Sequence, residues 1–213
     1  MTIEAVIWDF GGVFTTSPFD AFNRYESERG LPPDIIRRIN SINPDTNAWA
    51  KIERSEIDAA SFDRLFSEEA QALGYAIRGA DVLALLSGDL RPRVVAAFKA
   101  CKARFKVGCI TNNAPTGKGA GMSASSAKAQ EVAAVFSLFD HVIESSKAGV
   151  RKPDPRIYRM MCEAIEVAPD RCVYLDDLGI NLKPARDMGM VTIKVVSEDQ
   201  LLADLSRAVG ITL

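Results

Sequence analysis

Residues 5–14 read Ala5-Val6-Ile7-Trp8-Asp9-Phe10-Gly11-Gly12-Val13-Phe14. Four apolar residues run straight into an aspartate, and two glycines follow. An apolar run of this length bounded by glycine predicts a strand buried on both faces, as in parallel sheets. Asp9 then stands at the carboxyl end of that strand, where open α/β sheets bind their ligands. Gly11 and Gly12 let the backbone turn sharply and leave bare N–H groups on the side that Asp9 faces. A carboxylate in that position suits a metal ligand or a nucleophile toward phosphorus. It equally suits the cap of a following turn.

Outward from this stretch, Thr15-Thr16-Ser17-Pro18 reads as a polar loop with Ser17 as N-cap and Pro18 in the first helical turn. Helical spacing follows over residues 19–29, with Gly30 as its stop, and from Pro32-Pro33 to about Asn40. Residues 41–48 carry Asn43, Pro44, Asp45 and Asn47 and read as a loop. Ser55 to Asp58 fits a helix start. Phe62, Leu65, Phe66, Ala70 and Leu73 then recur at helical spacing up to Gly74, and Asp81 to Leu86 predicts one more short helix. From Arg91 the pattern changes. Helices over 92–104, 125–136, 154–167, 179–188 and 198–209 alternate with strands over 105–110, 141–144, 172–175 and 191–195. That alternation means a parallel sheet with crossover helices. The fold class is therefore α/β, a doubly wound (Rossmann-like) parallel sheet with a helical cap inserted after the first strand. Residues 1–14 and 91–213 form the core domain, and 15–90 the cap, which sits over the strand ends like a lid.

Composition narrows the function. The chain has 213 residues, 25% charged and 47% hydrophobic, with a formal net charge of −2. This is an ordinary soluble balance with no electrostatic case for nucleic acid or an anionic membrane. No apolar run reaches the roughly 20 residues that span a bilayer. A secretion signal is not expected at the N-terminus. Cys101, Cys109, Cys162 and Cys172 are widely spaced and read as buried thiols in a reducing compartment, so a cytoplasmic location is expected.

Four strand ends carry polar groups suited to one task. The first ends in Asp9, and the second in Thr111-Asn112. The third is followed by residues 147–155 (KAGVRKPDP), and the fourth ends in Asp176-Asp177. Mg²⁺ takes oxygen ligands, commonly carboxylates, waters and a substrate phosphate. Carboxylates gathered around one point repel unless a cation lies between them. A lysine with hydroxyl or amide donors neutralises a transferring phosphoryl group.

The stretches VIWDFGGV (6–13), CITNN (109–113), RKPDPRIY (151–158) and YLDDLGINLKPARDMGM (174–190) together resemble the haloacid dehalogenase superfamily, in the branch whose helical cap follows the first strand. The chain is most similar to the phosphatase-like N-terminal domain of soluble epoxide hydrolases. The resemblance implies a Mg²⁺-dependent phosphatase acting on a small phosphorylated metabolite, as monomer or homodimer. It makes Asp9 the nucleophile that forms an aspartyl-phosphate, with Thr111 and Lys152 beside it in catalysis. On the same resemblance, Phe10, Gly11, Thr111, Asn112 and Lys152 would contact the substrate. It likewise implies that Asp9, the carbonyl of Gly11 and Asp177 hold the metal, with Asp176 acting through a metal-bound water.

One position departs from that pattern. Family phosphatases commonly carry a second aspartate two residues after the nucleophile, as general acid and base; here it is Gly11. Such a group is typically worth about 10²- to 10⁴-fold in rate. A slow or non-catalytic domain that binds a phosphorylated ligand or a partner therefore stands as the alternative, with a haloacid dehalogenase behind it. Thr15, Thr16 and Asp20 lie near enough to substitute, although loop and capping roles suit each better. Asn181 reads equally as helix surface or as a partner of the metal-binding group. His141, the single histidine, reads as a partly exposed strand residue. The run Gly117-Lys118-Gly119-Ala120-Gly121 lacks phosphate-loop spacing and reads as a mobile loop. Trp49, Phe62 and Phe66 are expected to pack the cap, one of them lining the substrate pocket. Arg151 and Arg156 read as surface charges.

Overall fold

The computed structural model describes residues 2–119 and 121–213. Five parallel strands form one sheet in the order β3-β2-β1-β4-β5, with β1 (Ala5–Trp8) central, β2 (Lys106–Thr111), β3 (His141–Glu144), β4 (Cys172–Asp176) and β5 (Val191–Lys194). The predicted α/β class is the observed one. Trp8 stands level with Cys109 on one side and Leu175 on the other. β1 and β4 are buried throughout, and β2 beyond its first residue, which is why they read as unbroken apolar runs. The edge strands β3 and β5 are partly exposed, and His141 lies at the surface.

The period of two along β1 divides the core. Val6 and Trp8 face one apolar layer with Phe14, Phe98 and Phe139. Ala5 and Ile7 face the other, with Tyr158, Met161 and Tyr174. Helices α6 (Pro92–Lys102), α7 (Ser126–Phe136) and α11 (Glu198–Val209) cover the first face. Helices α9 (Pro155–Ile165) and α10 (Gly179–Asp187) cover the second. The chain walks from β1 outward to β3, then returns to β4 on the far side of β1. The strand order reverses there, and the crevice opens beyond the carboxyl ends of β1 and β4.

Between β1 and α6 lie α1 (Pro18–Glu28), α2 (Ile35–Ser41), α3 (Ala48–Glu53), α4 (Ala59–Ala72) and α5 (Gly79–Ala84). They bury their own apolar cluster around Phe22, Ile36, Phe62 and Phe66. The two ends of this insert are clamped together. Thr15 bridges Leu90 antiparallel, Thr16 N–H donates to the Asp89 carbonyl at 2.9 Å, and Arg91 N–H donates to the Phe14 carbonyl at 2.8 Å.

Three local readings change. Residues 48–53 form α3, capped by Asn47, whose Oδ1 accepts Ala50 N–H at 2.8 Å. Six residues are too few to display a helical period, so Asn47 reads in the sequence as part of a loop and not as a cap. The start of α4 is capped by Asp58 through Ser61 N–H at 2.8 Å, not by Ser55, which sits in the left-handed region at φ 57°. The short helix α8 (Ser145–Ala148) follows β3 directly. Ser17 does cap α1 ahead of Pro18, accepting from Phe19 N–H at 3.3 Å. In the glycine-rich run, Gly117 and Gly119 take positive φ, and Lys118 bridges Ser123 in a tight loop; Ala120 lies outside the described residues. Among the described residues no helix is long and apolar enough to cross a membrane.

Candidate active site

Asp9 leaves β1 with its N–H still donating to the Leu175 carbonyl at 2.8 Å, so the strand's pairing carries it to the edge of the crevice. Its Oδ1 accepts Phe10 N–H at 2.7 Å and lies 2.8 Å from Lys152 Nζ. Lys152 is 1% exposed, and its ammonium also lies 2.8 Å from Asp176 Oδ2. One buried cation therefore spans the ends of β1 and β4.

Asp176 is fully buried and spends both oxygens within the protein. Oδ2 accepts from Lys152 Nζ, from Tyr174 Oη at 2.5 Å and from Asn181 Nδ2 at 3.1 Å. Oδ1 accepts Leu178 N–H at 2.8 Å and Asn181 Nδ2 at 3.1 Å. Asn181 is thus no helix-surface residue. Its side chain holds Asp176, and its carbonyl accepts from Tyr158 Oη at 2.6 Å. Asp177, half-buried, points the other way, toward the glycine turn. A Cβ on Gly12 would lie 2.2 Å from Asp177 Oδ2, and Gly12 has φ +74°. Glycine is required there twice, for the left-handed backbone and for the close approach. Arg91 fixes the same turn by donating to the Gly12 carbonyl at 2.9 Å. A Cβ on Gly11, by contrast, would meet open space.

Electrostatics follow from burial. Desolvation pushes the Asp9 carboxyl well above its ordinary range. Lys152 opposes this, while Asp176 and Asp177 add to it. Asp177 is pushed up to about 6, chiefly by burial and then by Asp176. Burial alone would lower the Lys152 ammonium, but Asp176 and Asp9 outweigh it and hold the lysine above its usual value. One oxygen from each of Asp9, Asp176 and Asp177 lies within 4.8 Å of the others. Three carboxylates face one ammonium, which leaves a deficit of two charges when all are ionised. A divalent cation matches that deficit, and oxygen donors suit Mg²⁺. Asp9 and Asp177 are the carboxylates with capacity left for it, since Asp176 is saturated by its five hydrogen bonds.

Thr111 ends β2 and is buried, and no side-chain hydrogen bond engages its hydroxyl among the described residues. Asn112 Oδ1 accepts Lys152 N–H at 2.9 Å, and its Nδ2 donates to the Lys152 carbonyl at 3.1 Å. Phe10 buries its ring against Phe14 and Phe136, so only its backbone faces Asp9. Thr15 Oγ1 accepts Gly12 N–H at 3.3 Å, and Thr16 Oγ1 accepts Asp89 N–H at 3.1 Å, so both serve the local backbone. Asp9, Thr111, Asn112, Lys152 and Asp177 open on a cavity of about 1040 Å³, walled on the insert side by Phe19, Phe22, Trp49 and Leu86. Phe62 and Phe66 pack inside the insert, and Trp49 is the one of the three that reaches the cavity. Arg156 is a surface charge paired with Asp154 at 2.7 Å.

Sequence reading missed two groups here. Arg151 is not free at the surface: its Nε lies 2.8 Å from Glu53 Oε2, as an ion pair without hydrogen-bond alignment. Glu53 is 7% exposed at the end of α3. Nothing local marks either residue, because the partners lie almost a hundred positions apart.

A family model described as haloacid dehalogenase-like hydrolase matches residues 3–189. The chain is 27% identical over 225 residues to Bifunctional epoxide hydrolase 2 of Sus scrofa, covering 100% of this chain and 40% of that protein. It is 30% identical over 220 residues to Phosphatase MT3486 of Mycobacterium tuberculosis, covering 97% and 95%. The chain thus spans less than half the length of the bifunctional relative. Among solved structures, a haloacid dehalogenase family enzyme of Bacteroides thetaiotaomicron in complex with magnesium and inorganic phosphate superposes with a TM-score of 0.61. Its identity is 16%, over 92% of this chain and 96% of that one. L-2-haloacid dehalogenase of Xanthobacter autotrophicus superposes with a TM-score of 0.62 at 18% identity, over 100% and 85%. At these identities the structures show the fold alone, while the family model spans most of the chain and the four sequence stretches meet at one crevice. The chain belongs to the haloacid dehalogenase-like hydrolase family.

Proposed function

We propose that this chain is a Mg²⁺-dependent phosphatase that hydrolyses a small phosphomonoester through an aspartyl-phosphate on Asp9. The observation that carries the reading is the Lys152 ammonium held 2.8 Å from both Asp9 and Asp176, beside Asp177 and Thr111 at the mouth of one cavity. The likeness to a mycobacterial phosphatase over nearly the whole of both chains supports it.

Phe10 N–H and Lys152 hold Asp9 Oδ1, which orients the carboxylate. An Asp9 oxygen attacks phosphorus, the P–O ester bond breaks, and its electron pair leaves with the alcohol oxygen. Water then attacks the acyl phosphate and restores the carboxylate. Lys152 and the Thr111 hydroxyl stabilise charge on the phosphoryl oxygens. Asp9, the Gly11 carbonyl and Asp177 would hold Mg²⁺. When bound, the ion polarises the phosphoryl oxygens and offsets the crowding of carboxylates. Asp176 keeps Lys152 charged and in place. The aromatic wall of Phe19, Phe22 and Trp49 receives the alcohol part of the substrate.

Gly11 supports a second reading, a slow or ligand-binding domain. It supplies no side chain to protonate the departing oxygen, so that proton comes from water. A dehalogenase is the weaker alternative, because a cluster of three carboxylates calls for a metal that attack on carbon does not need.

The deciding experiment is phosphate release from a panel of small phosphoesters and one aryl phosphate, with Mg²⁺ and with chelator, for the parent and Asp9→Asn. The expected result is metal-dependent release that vanishes in Asp9→Asn. Equal release from the variant overturns the nucleophile, and no release from the folded parent favours the second reading.

A further inference from the structure

The mechanism leaves unused a buried polar cluster where the helical insert meets the core. Glu53 Oε1 accepts from Trp49 Nε1 at 2.9 Å. Its Oε2 lies 2.8 Å from Arg151 Nε and 3.4 Å from Asn112 Nδ2. Arg151 also donates to the Pro44 carbonyl at 3.1 Å, so it touches the loop before α3 as well as the helix's last residue. Ser55 Oγ donates to the Ser146 carbonyl at 2.7 Å just beyond.

Both core partners of Glu53 adjoin one residue, Arg151 along the chain and Asn112 by hydrogen bonds. Arg151 is the chain neighbour of Lys152. Asn112 holds the Lys152 backbone from both sides, through its N–H and its carbonyl. Lys152 in turn is the cation between Asp9 and Asp176. A chain of polar contacts therefore runs from the insert's carboxylate through Asn112 to the backbone of the lysine whose ammonium lies beside the nucleophile. A buried ion pair is often no better than well-packed apolar residues of the same size, whereas its geometry fixes orientation.

We propose that Glu53 is a positioning residue: by orienting Asn112 and Arg151 it sets Lys152 between Asp9 and Asp176, so that the core site takes its working geometry only with α3 seated on it. The inference rests on the phosphatase reading in that Lys152 serves the reaction; the contacts themselves do not depend on it. Misplacement of a catalytic group by about 1 Å costs on the order of 10²-fold in rate, so a loosened Lys152 should appear in turnover more than in substrate affinity.

The test uses the full chain with p-nitrophenyl phosphate and Mg²⁺, comparing the parent, Glu53→Gln, Arg151→Met and the double variant. A second readout is hydrogen exchange of the Lys152 backbone amide by NMR. Glu53→Gln keeps the size of the side chain and one acceptor for Trp49. Expected is a fall in kcat of about tenfold or more with KM within about twofold, faster exchange of the Lys152 amide, and a double variant no slower than the worse single. Unchanged kcat, an unchanged Lys152 amide, or additive losses overturn the proposal. Should Glu53→Gln not fold, Glu53→Asp, which keeps the charge but shortens its reach, carries the same expectations. If the parent releases no phosphate, the phosphatase reading fails separately, and the Lys152 amide alone decides: faster exchange supports the positioning link and unchanged exchange overturns it.

Discussion

Asp176 and Asp177 are chain neighbours with opposite fates. Strand alternation sends Asp176 inward, where Lys152, Tyr174, Asn181 and the Leu178 N–H saturate it, and leaves Asp177 facing the glycine turn. Asp176→Ala strips four donors of their acceptor and leaves Lys152 with Asp9 alone. A loss of about 3–5 kcal/mol is expected, read from urea unfolding with chelator present; a loss under about 1 kcal/mol would contradict the buried network. Asp177 has a different signature. Its pKa near 6 exceeds the unfolded value of about 4, so between those values the folded state binds the proton more tightly. Without metal, its contribution to stability is fully present below about pH 4 and is lost as pH rises through 6. Mg²⁺ requires the ionised form. The rise in melting temperature produced by Mg²⁺ is therefore expected to be larger at pH 7.5 than at pH 5, and an equal rise at both would remove Asp177 from the metal site.

At the scale of elements, β1 and the turn after it carry the site. The run of four apolar residues was readable because the central strand is covered on both faces, and Gly12 was readable because the backbone there admits little else, whereas a side chain at Gly11 would meet open space. Gly12→Ala places a Cβ at φ +74° and 2.2 Å from Asp177 Oδ2. The left-handed conformation costs about 1–2 kcal/mol. Displacement of Asp177 should weaken the Mg²⁺ titration on the order of tenfold or more. Isothermal titration with Mg²⁺ reads the second effect, and wild-type affinity in a folded variant would sink it. Helix α3 shows the opposite case. Its six residues have no legible period, yet it brings Trp49 to the cavity and Glu53 to the seam.

At the scale of the molecule, the described residues form three apolar clusters, two on the faces of the sheet and one centred in the insert, which also takes in Ala114 of the core. Two short segments, clamped at Thr15–Leu90, join the insert to the core. Such an arrangement allows the insert to open without unfolding the sheet. Phe66→Ala removes a fully buried ring from the third cluster, at a cost of about 3–5 kcal/mol. Amide exchange is expected to quicken throughout α1–α5 while β1 and β4 keep their protection. Equal loss of protection in the sheet would show that insert and core unfold as one unit.

The sequence by itself determined the sheet, the run of helices that follows its first strand, and the polar strand ends at Asp9, Thr111 and Asp176-Asp177. Each of these is written in local pattern: a run, a period, a glycine pair, a polar group where a run stops. It also showed Gly11 where a second acid is common. Only the tertiary structure decided which of two adjacent aspartates is saturated, that Asn112 spends its side chain on Lys152, and that Arg151 pairs with Glu53 instead of facing water. Those outcomes depend on which side chains a crossover brings together across long stretches of chain, and on how deeply each is buried. Neither quantity leaves a trace in local spacing.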